Sequence, residues 1–258
     1  MSGKSVIYET RGRAKEFCPL AINLYSGCGH RCTYCYGPDV IRRNRQDWYD
    51  RPVPRLTPQD IKRSAAGLWA KGLTAGEVRP TVLLCFTCDP YQPIEEDFKL
   101  TRQAIEILHN HGFTVTILTK AGPLARRDFD LLGPADTFAT TLTTIDTGVS
   151  LRWEPGAGLP EQRILNLKAV HYRGLKTWVS LEPVIDPDWT FQLIRDAHDF
   201  VSHFKIGTMN YARPNRPIDW KDFGTRVQIL CDSLGVGYYI KQDLAKHLGY
   251  NEGFWCGV

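Results

Sequence analysis

The sequence has no apolar run of the roughly 18 or more residues that a membrane-crossing helix needs. Met1 to Phe17 is polar and charged, and it lacks the apolar stretch of a secretory signal. These absences point to the cytoplasm and to no membrane partner. Structural disulfides are rare there, so the eight cysteines read as metal ligands, redox groups or buried thiols. The seven histidines form no H-x3-H pair, Gly-rich phosphate loops are missing, and no Ser/His/Asp array has a convincing context. There is no low-complexity segment, linker or second domain. With 258 residues, the chain suits one α/β domain of barrel size.

What the sequence does have is concentrated between Asn23 and Pro38, in NLYSGCGHRCTYCYGP. Cys28, Cys32 and Cys35 are spaced C-x3-C-x2-C. Thiolates are the soft ligands of iron–sulfur clusters, which normally take four of them. Three close ligands fix three corners of a four-iron cluster and leave one iron open to a small molecule. A structural zinc site is the competing reading, with Cys18 or the Cys85/Cys88 pair completing four ligands. The apolar run Ala21 to Tyr25 reads as a strand ending at Ser26-Gly27, so the cysteine loop leaves the C-terminal end of a strand.

Beyond the loop, strand and helix patterns alternate. Thr57-Pro58 reads as N-cap and first residue of a helix, with Ile61, Ala65 and Leu68 on one face. Thr81–Thr87 is a near-continuous apolar run, as in a buried parallel strand. Phe98, Arg102, Ile105 and Leu108 mark the next helix. Strands then follow over Phe113–Thr119, Thr137–Thr143, Leu175–Leu181 and Phe204–Thr208, with a weak last one over Gly237–Ile240. Helices fall over Pro123–Leu132, Pro160–Arg173, Trp189–Phe200 and Trp220–Leu234. Six strong strands, starting at Ala21, predict βαβ units and a parallel sheet: a partial (β/α)6 TIM-like barrel, open on one side. Residues 1–20 read as an N-terminal extension, and 21–258 as the core with a short C-terminal extension.

The motifs GCGHRCTYCYGP, TCDPYQPIE (87–95) and ILTKAG (117–122) resemble the radical S-adenosylmethionine (SAM) enzymes, and within them the spore-photoproduct-lyase-like branch. The matching stretches run from about Asn23 to about Met209. The resemblance implies a [4Fe–4S] cluster on Cys28, Cys32 and Cys35, with SAM chelating the fourth iron and cleaved to a 5′-deoxyadenosyl radical. It places Tyr34 near the SAM adenine. The SAM amino group falls to Thr87 or Asp89, because the Gly-Gly-Glu type of sequence usual there is absent. Lys120 is expected at the SAM carboxylate, Thr141 at the carboxylate or ribose, and Glu182 at the ribose or substrate. Cys88, taken as lying at the end of the 81–87 strand, is the candidate for returning hydrogen to the substrate radical, and Tyr91 is a second catalytic candidate. Implied partners are a flavodoxin- or ferredoxin-like single-electron donor and a macromolecular substrate. That substrate is a nucleic-acid lesion or a ribosomally made peptide, the latter with a presenting protein or by direct capture.

Between Ile41 and Arg63, seven basic residues stand against three aspartates. Such a segment beside the cysteine loop either meets a phosphate backbone or acidic peptide, or is a solvated loop and helix start. A zinc-stabilised nucleic-acid-binding protein without catalysis accounts for the cysteines and this segment. It leaves unexplained six βα units with polar groups gathered at one rim.

Overall fold

Along the chain the strands are β1 (Tyr8–Glu9), β2 (Leu20–Ile22), β3 (Tyr25–Ser26), β4 (Val53–Pro54), β5 (Thr81–Leu84), β6 (Thr114–Thr119), β7 (Thr137–Thr141), β8 (Lys176–Leu181), β9 (His203–Ile206), β10 (Gly237–Ile240) and β11 (Phe254–Cys256). The helices are α1 (Gly37–Ile41), α2 (Arg45–Asp50), α3 (Pro58–Ala70), α4 (Glu95–Phe98), α5 (Leu100–Asn110), α6 (Thr147–Trp153), α7 (Pro160–His171), α8 (Pro187–Ala197), α9 (Trp220–Leu234) and α10 (Gln242–His247). Short 3-10 turns add Gly12–Glu16, Pro123–Leu131 and His198–Phe200. The computed structural model describes residues 5–73, 79–209 and 217–257.

Nine strands form one sheet in the order β1-β2-β5-β6-β7-β8-β9-β10-β11. The seven from β2 to β10 run parallel and follow chain order, as βαβ units with one handedness of crossover require. They are the six expected strands and the weak seventh. The sheet does not close: antiparallel β1 and β11 are its edges. Both faces are buried, which is why the strands read as apolar runs rather than alternating ones. Val82, Val115, Ile117, Phe138, Val179 and Phe204 pack in one large core with Ile61, Ile105, Leu108, Leu167 and Val227 of the helices. Ala21 and Leu83, with Phe17, Phe86 and Leu118, make a smaller cluster on the other face. No helix among the described residues is long and apolar enough to cross a membrane.

The helix starts follow their local chemistry. Thr57 accepts from the Asp60 N–H while the Asp60 carboxylate accepts from the Thr57 N–H, a reciprocal cap on the first turn of α3. Two local expectations change. The strand read as Thr81–Thr87 stops at Leu84, because Cys85 adopts a left-handed φ of 65° and turns the chain out of the sheet. Phe86 to Cys88 therefore belong to the loop. The helix read through Phe98 and Arg102 is broken at Lys99, also left-handed at φ 49°. Its buried face is instead Leu100, Thr101, Ala104, Ile105 and Leu108. Phe98 is exposed, and Arg102 points sideways to Asp130 at 2.8 Å. Residues 8–20 join the core directly, through β1 and through Glu16, whose carboxylate accepts from the Gln242 N–H at 2.8 Å.

Candidate active site

The cysteine loop is braced from several sides. The Cys28 N–H donates to the Trp48 carbonyl at 2.9 Å, and the Tyr49 hydroxyl donates to the Cys32 carbonyl at 2.6 Å. The Arg45 guanidinium donates to the Cys35 carbonyl at 2.9 Å, and that of Arg43 to the carbonyls of Ser26, Asp47 and Arg51. Part of the basic run after Ile41 is thus tied down as struts of the loop. Gln92 is fully buried: its amide donates to the Gly27 carbonyl, and its oxygen accepts from the Gly29 N–H, each at 3.0 Å. From the far side Gly156 packs so closely that a Cβ there would lie 2.2 Å from the Gly29 oxygen, so only glycine fits.

A cavity of about 140 Å³ lies under this loop, at the C-terminal ends of the strands. It is lined by Cys28, Cys32, Cys35, Tyr34, Thr87, Cys88, Asp89, Lys120, Thr141 and Glu182. Ten side chains singled out from the sequence therefore meet in one place. Tyr91 does not. It is 1% exposed in the helix-side core, where burial and the carboxylates of Asp128 and Glu95 push its phenol well above the ordinary range. Its expected catalytic role is corrected on that ground: the turn after Asp89 sends the ring into the core, and Gln92 reaches the cysteine loop instead.

Asp89 also differs from expectation. One carboxylate oxygen accepts from the Tyr91 N–H (2.8 Å) and the Thr119 hydroxyl (2.6 Å). The other accepts from the Lys120 N–H (2.7 Å) and meets His30 Nδ1 at 3.3 Å. Burial pushes this carboxyl up, but His30, Thr119 and the Lys120 N–H outweigh it and hold the group down at about 2. With its acceptor positions filled, Asp89 pins the cysteine loop to the end of β6. Thr87 is left with a hydroxyl that has no partner among the described residues, while its N–H is held by Asn23 at 2.9 Å. Cys88 sits in the loop four residues beyond β5 rather than at the strand's end. Its thiol faces the Tyr25 carbonyl at 3.3 Å, and burial, with Cys85 beside it, pushes it well above the ordinary range.

A buried network that the sequence did not reveal lies behind Tyr34. The Tyr34 hydroxyl donates to Glu154, and Glu154 pairs with Arg163 at 2.6 Å, both at most 1% exposed. Arg163 also donates to the Thr141 carbonyl at 3.0 Å. Helix α6, capped by Asp146 on the Val149 N–H at 2.7 Å, delivers Glu154. That Asp cap was the available signal for α6. Lys120 holds its ammonium 5.6 Å from the Tyr34 ring centre. Glu182 ion-pairs with Lys241, which follows β10 and was also missed. The two strands carrying them flank Gly207, where a Cβ would lie 3.0 Å from the Glu182 carboxylate.

The donor set fits an iron–sulfur cluster. All three thiols are largely shielded from water, and burial pushes each above its ordinary range, that of Cys32 to about 12. Against that burial, the backbone N–H groups of His30 and Gly37 lower the Cys28 and Cys35 thiols and so favour the thiolates that a cluster takes.

Residues 22–201 match the radical SAM superfamily. An uncharacterized protein of Methanocaldococcus jannaschii is 29% identical over 170 residues, 65% of this chain and 60% of its own length. The chain thus spans about three fifths of that curated relative. A variant of spore photoproduct lyase superposes with a TM-score of 0.68 at 15% identity, covering 92% of this chain and 79% of that one. Another, with bound AdoMet and dinucleoside spore photoproduct, gives 0.60 at 18% identity, covering 78% and 59%. SuiB of Streptococcus suis, bound to its precursor peptide SuiA, gives 0.60 at 15% identity, covering 83% and 46%. At these identities the likeness is one of fold.

Proposed function

The chain belongs to the radical SAM superfamily, and from that premise we propose a lyase-type enzyme acting on a macromolecular substrate, with a [4Fe–4S] cluster on Cys28, Cys32 and Cys35. When bound, the cluster and SAM supply a 5′-deoxyadenosyl radical able to take hydrogen from an unactivated carbon. The chain's own residues bind, orient and exclude water. Lys120 sets a positive charge beside the cysteine loop for the SAM carboxylate, and Thr141 adds a donor from the neighbouring strand end. Thr87 takes the amino group in place of Asp89, whose oxygens are occupied. The Tyr34 ring, fixed by Glu154, gives a flat wall for the adenine. Glu182, fixed by Lys241, faces the ribose or the substrate. Cys88, whose side chain lines the same cavity, returns hydrogen to the substrate radical.

The observation that carries this reading is the convergence of three shielded thiols and the polar groups of Thr87, Lys120, Thr141 and Glu182 on one cavity. The open side of the sheet favours a large substrate, and the peptide and dinucleoside held by the two structural neighbours favour one too. A flavodoxin- or ferredoxin-like donor in the reducing cytoplasm suits the electron that SAM cleavage consumes. The test is anaerobic reconstitution with iron and sulfide, then dithionite and SAM. The native protein should show broad visible absorbance and release 5′-deoxyadenosine. The Cys28→Ala/Cys32→Ala/Cys35→Ala variant should do neither. Full iron content in that variant, or a colourless native protein with stoichiometric zinc, refutes the proposal.

A further inference from the structure

The cavity under the cysteine loop continues into a second one of about 250 Å³. Phe17, Tyr34, Tyr36, Phe86, Lys120 and Glu182 line both. The second is completed by Lys241 and by Arg11 and Arg13 of the N-terminal segment. Lys241 is answered by Glu182. Arg11 and Arg13 are exposed, and neither side chain has a hydrogen bond or ion pair among the described residues. Yet the segment that carries them is fastened. The Glu16 carbonyl accepts from the Lys205 ammonium, and its carboxylate accepts from the Gln242 N–H at 2.8 Å. The Thr10 N–H donates to the Pro19 carbonyl at 2.9 Å.

Two uncompensated guanidiniums are therefore held at the rim of an aromatic-walled chamber that leads to the reactive centre. The rings stand in sequence, Phe17 to Phe86 at 5.9 Å and Phe86 to Tyr36 at 5.7 Å between centres. A guanidinium's planar fork matches a phosphate, and aromatic faces stack bases whatever their identity. We infer that the second cavity is a subsite for single-stranded nucleic acid, with Arg11 and Arg13 on its phosphates and a base against the Phe86–Tyr36 wall. An acidic peptide would engage the arginines but leave the aromatic wall without a matching group. The inference rests on the proposed radical chemistry only for the reason a substrate enters here.

The test is fluorescence anisotropy of labelled oligothymidylate on the reconstituted protein with SAM, across a salt series. Arg11→Gln/Arg13→Gln should weaken binding about tenfold or more. It should also flatten the plot of log affinity against log salt by about 1.4, two contacts at about 0.7 each for a single strand. Arg173→Gln, exposed just beyond α7, removes a charge elsewhere and should leave binding and slope unchanged. Equal weakening by Arg173→Gln, or an unaltered slope in the double variant, overturns the subsite. So does a polyglutamate peptide that outcompetes the oligonucleotide. Iron content and 5′-deoxyadenosine release by the native protein are read separately. A colourless protein that still binds oligothymidylate through Arg11 and Arg13 would sink the enzymatic reading and leave the subsite standing.

Discussion

Lys120 lines the cavity under the cysteine loop, and its ammonium makes no ion pair among the described residues, whereas Arg45 is held by Asp39 and Arg163 by Glu154. Lys120→Ala should weaken SAM binding by ~1.5–3 kcal/mol, the range for a charged hydrogen bond. Calorimetry on the reconstituted protein measures it, and unchanged affinity removes Lys120 from the site. Cys88 acts later. Cys88→Ala should still release 5′-deoxyadenosine while substrate turnover stalls or gives radical-trapped products. Normal product at the normal rate would show that this thiol carries no chemistry, and Cys85 would be next. These residues were legible because their signals are local: a thiol spacing, or a polar residue closing an apolar run. Their supports were not. Tyr34 and Glu154 lie 120 residues apart, Gly29 and Gln92 63, and Lys241 and Glu182 59, and nothing in a single sequence marks such pairs. Tyr91 misled for the opposite reason. A tyrosine in a polar loop looks exposed until the turn set by Asp89 is known.

At the scale of elements, the parallel strands were readable in number and order and α9 to the residue, because a strand buried on both faces and a helix with one apolar face leave clear patterns, while strand ends shifted by up to three residues, as at β5. The two- and three-residue strands β1, β3, β4 and β11 are too short to show any period, and the left-handed residues Cys85 and Lys99 interrupt elements without a glycine to announce it. The loop from Cys88 to Glu95 shows how one element positions another. Glu95, fully buried, takes the Tyr25 hydroxyl, the Thr101 N–H and the Arg127 guanidinium. That anchors the loop, and Gln92 within it grips the cysteine loop on both sides of Cys28. Gln92→Leu keeps the volume and removes both bonds, leaving a part-buried N–H at Gly29 and a buried carbonyl at Gly27 without partners, the carbonyl at a cost of roughly 1–3 kcal/mol. The variant should assemble its cluster but lose iron to a chelator faster than the native protein, with a lower melting temperature. Native iron retention would show that the strap does not position the loop.

Across the whole molecule, the inner face of the open sheet is held together at its far side by Lys205, on β9. Its ammonium is 4.8 Å from the Trp178 ring centre, 5.4 Å from Phe17, 5.6 Å from Trp255 and 5.8 Å from Tyr239, and it donates to the Glu16 carbonyl. It thus joins β8, β10, β11 and the N-terminal segment in one contact set. The side chain is 5% exposed, and burial lowers its pKa to about 8, against the pull of Cys18 and Glu16 the other way. The unfolded chain keeps a lysine near 10.4. Below about pH 8 both states carry the proton, and the folded state bears the full cost of a buried charge. Between pH 8 and about 10 the unfolded chain binds more protons than the folded one, so this group makes stability rise with pH, by up to roughly 3 kcal/mol. Other groups titrate over the same range, so the difference from a variant is the measurement. Lys205→Met keeps the length and the aromatic contacts and should be at least as stable as the native protein at pH 7. Its advantage should shrink steadily from pH 8 to pH 10 in denaturant titrations. A constant difference across that window would mean that Lys205 keeps its proton, and that the cation held among four rings offsets its burial.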